Sequence, residues 1–152
     1  IGLDLLSSAI PAPQRIDTNG DGFNENDTVY IRYAFDLAES PGGDNLTLQM
    51  RFDDGFVAYL NGVEVARTNF TGTPDWNSES DGISAEASSF VSFDISPHLG
   101  LLQAGTNVLA IHGLNQDPTS SDMILQPRLV QGEIVAGSTS LEFGEFDYNP
   151  AS

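Results

Sequence analysis

The fold is decided by residues 51–67, which read Arg51-Phe-Asp-Asp-Gly-Phe-Val-Ala-Tyr-Leu-Asn-Gly-Val-Glu-Val-Ala-Arg67. Two apolar segments, 57–60 and 63–66, flank the dipeptide Asn61-Gly62. Asn-Gly readily takes the positive φ angles of the type I′ turn that joins the two strands of a hairpin. The stretch therefore predicts a β-hairpin in an all-β protein. A hairpin alone indicates no function, so functional residues are expected in the loops.

Alternation of apolar and polar residues predicts further strands. Apolar side chains recur at every second position in residues 29–37 and 46–52, which is typical of half-buried strands. Further strands are predicted at residues 90–95, 107–114, 124–130 and 138–146, between segments rich in Gly, Pro, Asn, Asp and Ser. This spacing predicts an antiparallel β-sandwich of the jelly-roll type.

Two shorter features predict a helical turn and a linker. Ser96-Pro97 predicts one helical turn through Leu102, with Ser96 at the N-cap and Pro97 at the first helical position. Residues 132–140 have the composition of a linker between two apolar stretches. We therefore expect a β-sandwich module over residues 1–131, followed by a linker and the start of another domain over residues 132–152.

Composition excludes several classes of protein. The 152 residues are enough for one domain with a short extension. There are 22 acidic residues, five arginines and no lysine, and the net charge of -17 argues against nucleic acid or an anionic membrane as partner. The acidity fits either solubility in salt water or a specific role for a cation. The absence of cysteine excludes disulfides, thiolate zinc sites and thiol nucleophiles. No apolar run approaches the roughly 20 residues of a membrane span, so membrane insertion is not expected.

Three segments carry a resemblance to a known family. They are Val29-Tyr-Ile-Arg-Tyr-Ala-Phe35, residues 46–67, and Gly105-Thr-Asn-Val-Leu-Ala-Ile-His-Gly-Leu-Asn115 with Ser120-Ser121-Asp122. In this order they resemble the galactose-binding-domain-like jelly roll found in large secreted bacterial proteins beside lamin-tail and spore-coat-kinase-like domains, over about residues 1–131. The hairpin and the Gly-x-Asn-x-Leu-Ala segment are also similar to the β-sandwich of family 2 glycoside hydrolases, and residues 141–150 resemble the first strand of a lamin-tail domain. The resemblance implies an extracellular or cell-surface accessory module, often carbohydrate-binding, joined to other domains of the same polypeptide and without catalytic residues.

An acidic loop near the start of the chain predicts a calcium site. It reads Asp17-Thr-Asn-Gly-Asp-Gly-Phe-Asn-Glu-Asn-Asp27, with oxygen-bearing side chains at alternating positions before a glycine. Calcium prefers six to eight such oxygen ligands, and the predicted ligands are Asp17, Asn19, Asp21 and Asp27. The twelfth position is Thr28 instead of the glutamate of an EF-hand loop. The alternative is an Asx-turn loop without metal.

Residues 68–87 form the segment in which a ligand site is expected. They contain no clear strand pattern and hold the single tryptophan, Trp76, and loops of this length are usually functional or mobile. An exposed indole would stack on a sugar ring while polar neighbours bind its hydroxyl groups. The candidate ligand-binding residues are Trp76, Asp75, Asn69, Arg67, His112 and Asn115. The alternative is that Trp76 folds back over the core.

The sequence does not favour an enzyme. His112 lies near Asp117 and Asp122, but no Gly-x-Ser-x-Gly elbow supplies a nucleophile for a triad. Nothing singles out one pair of carboxylates as those of a glycosidase. We therefore expect a non-catalytic module that binds a polysaccharide or other glycan and is stabilised by Ca²⁺. The alternative is a structural or adhesion module that binds no sugar.

Overall fold

The computed structural model describes residues 27–83, 88–118, 120, 123–131, 140–142 and 146–148. Within them the chain forms nine strands and one short 3₁₀ helix, Ser96–Leu101. The strands are β1 (Thr28–Leu37), β2 (Leu46–Phe52), β3 (Gly55–Leu60), β4 (Val63–Thr68), β5 (Val91–Asp94), β6 (Gly105–Leu114), β7 (Met123–Gln131), β8 (Ser140–Glu142) and β9 (Phe146–Tyr148).

The strands form two antiparallel sheets. Sheet A has the order β1-β6-β3-β4, and sheet B has the order β5-β2-β7-β8, with β9 also paired to β7. Pairs such as β1 with β6 join segments far apart in sequence, with Thr28 opposite Leu114 and Leu37 opposite Gly105. The structure confirms the predicted all-β sandwich, while the jelly-roll assignment and the family stay predictions. The boundary after residue 131 also stays a prediction, and β8 and β9 both pair with β7.

The core lies between the inner faces of the two sheets. On sheet A, the odd-numbered residues of β1 and β6 point inward, so that Ile31 and Ile111 are buried there with Leu48 and Leu125 of sheet B. Their even-numbered neighbours face away from the core. This period of two is what positions the residues on the outer face of sheet A.

Gly113 of β6 lies against the side chain of Leu125 in sheet B. A Cβ atom at this position would lie 2.2 Å from Leu125 Cδ1 and 3.0 Å from Val29 Cγ1. Glycine is required here because the side chain of Leu125 occupies the space of a methyl group.

The predicted Asn61-Gly62 turn is confirmed, since φ is 49° at Asn61 and 84° at Gly62. The Asn61 side chain is also tied to the segment before β6. Its Nδ2 donates to Leu101 O at 2.8 Å and to Asn107 Oδ1 at 2.9 Å, and its Oδ1 accepts from Val108 N at 2.8 Å. The hairpin turn is therefore fixed to the rest of sheet A by side-chain hydrogen bonds as well as by strand pairing.

One local prediction is wrong. The predicted helical turn exists as a 3₁₀ helix with proline in its first turn, but its N-cap is Ile95 and no side chain caps it. Ser96 Oγ instead donates to Asp94 Oδ1 at 2.5 Å and accepts from Leu46 N at 3.0 Å, which joins the helix to β2. Within the predicted strand over residues 138–146, the described residues belong to β8 and to the start of β9.

Candidate functional site: a cavity on the outer face of sheet A

A cavity of about 590 Å³ lies on the outer face of sheet A. Its lining includes Tyr30 and Arg32 from β1, Tyr59 from β3, His112 from β6, and Pro74 from the segment that follows β4. The first four are brought together by pairing of β1 and β3 with the two edges of β6. The cavity is therefore a direct product of the strand order in sheet A.

The centre of the cavity is a stacked aromatic pair. Tyr30 lies directly opposite His112 in the β1–β6 register, and their ring centroids are 4.3 Å apart at an interplanar angle of 22°. Tyr30 is 62% exposed, whereas His112 is 2% exposed. The imidazole supports one face of the phenol ring and leaves Tyr30 open to a ligand.

The His112 ring has a free hydrogen-bonding atom. Its Nε2 is buried and has no hydrogen-bond partner. Burial lowers the pKa of His112, so the ring is neutral at pH 7 and one of its nitrogens is an acceptor. A buried polar atom without a partner is rare in folded proteins, and here it belongs to a residue that lines a cavity.

Further polar groups surround this pair. Burial and then the charge of Asp75 raise the pKa of Tyr30, which places that carboxylate near the phenol. Burial also raises the pKa of Tyr59, with a smaller contribution from Glu64. Both phenols are therefore protonated at neutral pH and can donate a hydrogen bond. With the exposed Arg32 at the same face, the cavity offers aromatic surface together with donors and acceptors.

The segment after β4, residues 69–83, forms one wall of the cavity and is held at three points. Thr28 Oγ1 donates to Trp76 O at 2.6 Å. Ser80 N donates to Asn115 O at 2.8 Å, and Asp81 N donates to Asn69 O at 2.7 Å. These bonds attach the loop to β1, to the end of β6 and to its own first residue.

Trp76 is exposed in this loop, with 63% of its surface accessible. The sequence left open whether the indole covers the core, and an indole this exposed does not cover it. A role of Trp76 in ligand binding stays a prediction. Asp75 Oδ1 accepts a hydrogen bond from Trp76 N at 2.7 Å. Asp75 lies near Tyr30, whose pKa its charge affects, and Pro74 is the residue of this segment that lines the cavity.

The other two candidates from this segment have structural partners. Arg67 donates to both carboxylate oxygens of Glu64, at 2.5 and 2.6 Å, and to Gly72 O at 2.9 Å. Asn69 has a φ of 50° and donates through Nδ2 to Asp54 O at 2.7 Å. Their donors shape the loop, and their roles in ligand binding stay predictions.

Asn115 and Asp27 are not among the residues that line the cavity. Asn115 follows β6 and is buried beside Asp27, which precedes β1. Asp17, Asn19 and Asp21 lie outside the described residues. Within the part of the chain that the structure describes, no group of three or more His, Asp or Glu side chains is placed to hold a metal ion. In the same part, no helix is long and apolar enough to cross a membrane.

Sequence reasoning included His112 but missed Tyr30, Tyr59 and Arg32. The signal for Tyr30 and Arg32 was present, because both are large side chains at even positions of β1 that face away from the core. Which strands would lie beside them was not encoded in any local pattern.

Comparison with known proteins gives a likeness of fold. No known family profile matches the chain, and no curated protein matches it. Among solved structures, the crystal structure of Streptomyces avermitilis alpha-L-rhamnosidase complexed with L-rhamnose is similar, with a TM-score of 0.50 and 20% sequence identity. The match covers 82% of this chain and 11% of the rhamnosidase chain. The chain thus resembles a small part of a carbohydrate-active protein, and the likeness concerns the fold.

Proposed function

We propose that the protein is a non-catalytic carbohydrate-binding module that holds a glycan in the cavity on the outer face of sheet A. The observation that carries this proposal is the stacked Tyr30–His112 pair, in which a tyrosine is 62% exposed and supported from behind by a buried ring. Aromatic rings of this kind pack against the apolar face of a sugar, and a few polar groups around them bind its hydroxyls.

The groups around this pair can supply the polar contacts. Tyr59 and Arg32 line the cavity and can donate hydrogen bonds to the hydroxyl groups of a sugar. Trp76, whose main-chain oxygen accepts a hydrogen bond from Thr28, would extend the aromatic surface to a second sugar unit. The likeness in fold to part of a rhamnosidase supports a carbohydrate-related role. By the same reasoning, we propose that the module belongs to a larger extracellular protein.

The test is affinity electrophoresis of the purified protein through a panel of plant and algal polysaccharides, including rhamnose-containing ones. We expect retardation by at least one glycan, and we expect Tyr30→Ala to abolish it. Loss of one aromatic stacking contact costs about 1–3 kcal/mol in the related case of nucleobases, which corresponds to roughly a 5- to 150-fold weaker affinity. Trp76→Ala should weaken binding to longer oligosaccharides more than to monosaccharides.

The matched control is Val91→Ala. Val91 is also an exposed large apolar residue, but it lies on β5 of the opposite sheet. Its substitution should leave retardation unchanged. If no glycan retards the parent protein, the proposal fails, and the alternative of a structural or adhesion module takes its place. If Tyr30→Ala and Val91→Ala behave like the parent while a glycan still binds, the site lies elsewhere.

A further inference from the structure

Two buried oxygen atoms lack hydrogen-bond partners where β1 begins and β6 ends. Asp27 is 5% exposed and Asn115 is 3% exposed, and neither Asp27 Oδ1 nor Asn115 Oδ1 has a partner. Asn115 N donates to Asp27 O at 2.7 Å, which continues the pairing of Thr28 with Leu114. Directly paired residues of antiparallel strands carry their side chains on the same face, about 5 Å apart at Cβ. The two unpartnered oxygens therefore belong to one site.

The site is also electronegative. Glu79 and Asp117 lie near enough for their negative charges to act on the Asp27 carboxyl. A buried carboxylate oxygen without a donor carries a substantial desolvation cost, and so does the amide oxygen beside it. A bound cation removes both costs at once.

We propose that Asp27 Oδ1 and Asn115 Oδ1 are ligands of one divalent cation of the calcium class, held between the start of β1 and the end of β6. Carboxylate and amide oxygens are ligands that calcium prefers, and main-chain carbonyls and water commonly complete its shell. Asn115, which the sequence assigned to the glycan site, is thereby a metal ligand. Asp27 keeps the role predicted for it, with a partner from another strand.

Such a cation would act on the loop that borders the glycan cavity. The carbonyl of Asn115 accepts the hydrogen bond from Ser80 N. Thr28, next to Asp27, pairs with Leu114 of β6, and its hydroxyl donates to Trp76 O. Both anchors of the loop are adjacent to the two proposed ligands. The cation would therefore join β1, β6 and residues 69–83 at one point.

The experiment is thermal unfolding of the chelator-treated, dialysed protein with and without calcium chloride. A ligand at 100 times its dissociation constant stabilises the folded state by about 2.7 kcal/mol, which corresponds to a rise in Tm of about 5–10 °C for a chain of this size. Asp27→Asn should remove most of that rise. Glu39→Gln is the matched control, because Glu39 is an exposed acid away from the site, and it should keep the full response.

The variant Asn115→Asp tests whether a cation accounts for the two unpartnered oxygens. Without calcium, a second carboxylate beside Asp27 should lower Tm below that of the parent. With calcium, the added charge should enlarge the rise in Tm beyond the parent's, and isothermal titration should show a higher affinity for calcium than in the parent. A variant that folds only with calcium present would support the proposal equally.

Three outcomes would overturn the proposal. An unchanged Tm of the parent in calcium would exclude a bound cation. Equal stabilisation of the parent and Asn115→Asp by calcium would place the cation at other residues, including the loop over residues 17–21. If Asn115→Asp folds under no condition, an unchanged calcium response in Asp27→Asn decides against the site.

Discussion

Asn107 should be among the most destabilising positions to substitute outside the apolar core. Its side chain is fully buried, with 0% exposure. Its Oδ1 accepts from Gln103 N at 3.0 Å and from Asn61 Nδ2 at 2.9 Å, and its Nδ2 donates to Gln103 O at 2.8 Å and to Gly105 O at 3.0 Å. All four hydrogen-bonding positions of this amide are used.

The magnitude follows from these four bonds. One buried hydrogen bond contributes about 1 kcal/mol net, and groups left unpaired add a desolvation cost. We therefore expect Asn107→Ala to reduce the free energy of unfolding by about 3–4 kcal/mol, with a fall in Tm of about 10 °C. The assay is urea unfolding followed by circular dichroism, and Asn45→Ala is the control because Asn45 is exposed.

A double-mutant cycle with Asn61 tests the cause. Asn61→Gly removes the side chain while keeping the positive φ of 49° accessible. Since the two amides share a hydrogen bond, the double variant should lose about 1 kcal/mol less than the sum of the single variants. Strict additivity, or a loss below about 1 kcal/mol for Asn107→Ala, would refute the reasoning.

Two further predictions concern packing and pH. Gly113→Ala should lower the free energy of unfolding by about 1–3 kcal/mol, because its new methyl group overlaps the buried Leu125 side chain; urea unfolding measures this, and Gly82→Ala, where nothing lies within 4 Å, should be close to neutral. Burial raises the pKa of Tyr33 to about 12. The folded state then holds the phenolic proton more tightly than the unfolded state. This difference contributes roughly 1–2 kcal/mol to the free energy of unfolding after allowing for partial exposure. The contribution is present below pH 10 and is lost between pH 10 and 12. Urea unfolding at pH 9 and 11 measures the loss, and a loss of the same size in Tyr33→Phe would contradict its assignment to Tyr33.

Much of the fold could be predicted because its signals are local. The period of two over residues 29–37 and 46–52 and the Asn61-Gly62 turn depend only on neighbours in the sequence. The 3₁₀ helix shows the limit of such signals. Ser96 was predicted to cap the helix, but its hydroxyl bonds to Asp94 and to Leu46, which lies 50 residues away. A distant strand determined the role of a residue whose local pattern indicated a cap.

The candidate site was less predictable because it depends on which strands pair. Tyr30 and His112 stack across a register that joins residues 82 positions apart, and no local pattern indicates that register. The single tryptophan directed attention to residues 68–87, which do border the cavity through Pro74. The sequence therefore predicted the segment that borders the cavity. The residues from β1, β3 and β6 that line it could be identified only from the sheet topology.

The anchoring of residues 69–83 has a consequence for the thermodynamics of binding. A free loop must lose conformational entropy when it closes on a ligand, and each immobilised side chain costs about 0.5–1.5 kcal/mol. Here the hydrogen bonds from Thr28 to Trp76 O and from Ser80 to Asn115 O are in place in the chain alone. The part of the ordering cost that belongs to these anchored residues is therefore met during folding. Ligand would encounter a preorganised wall, and the selectivity of the module would come from the fixed shape of the cavity instead of from loop adaptation.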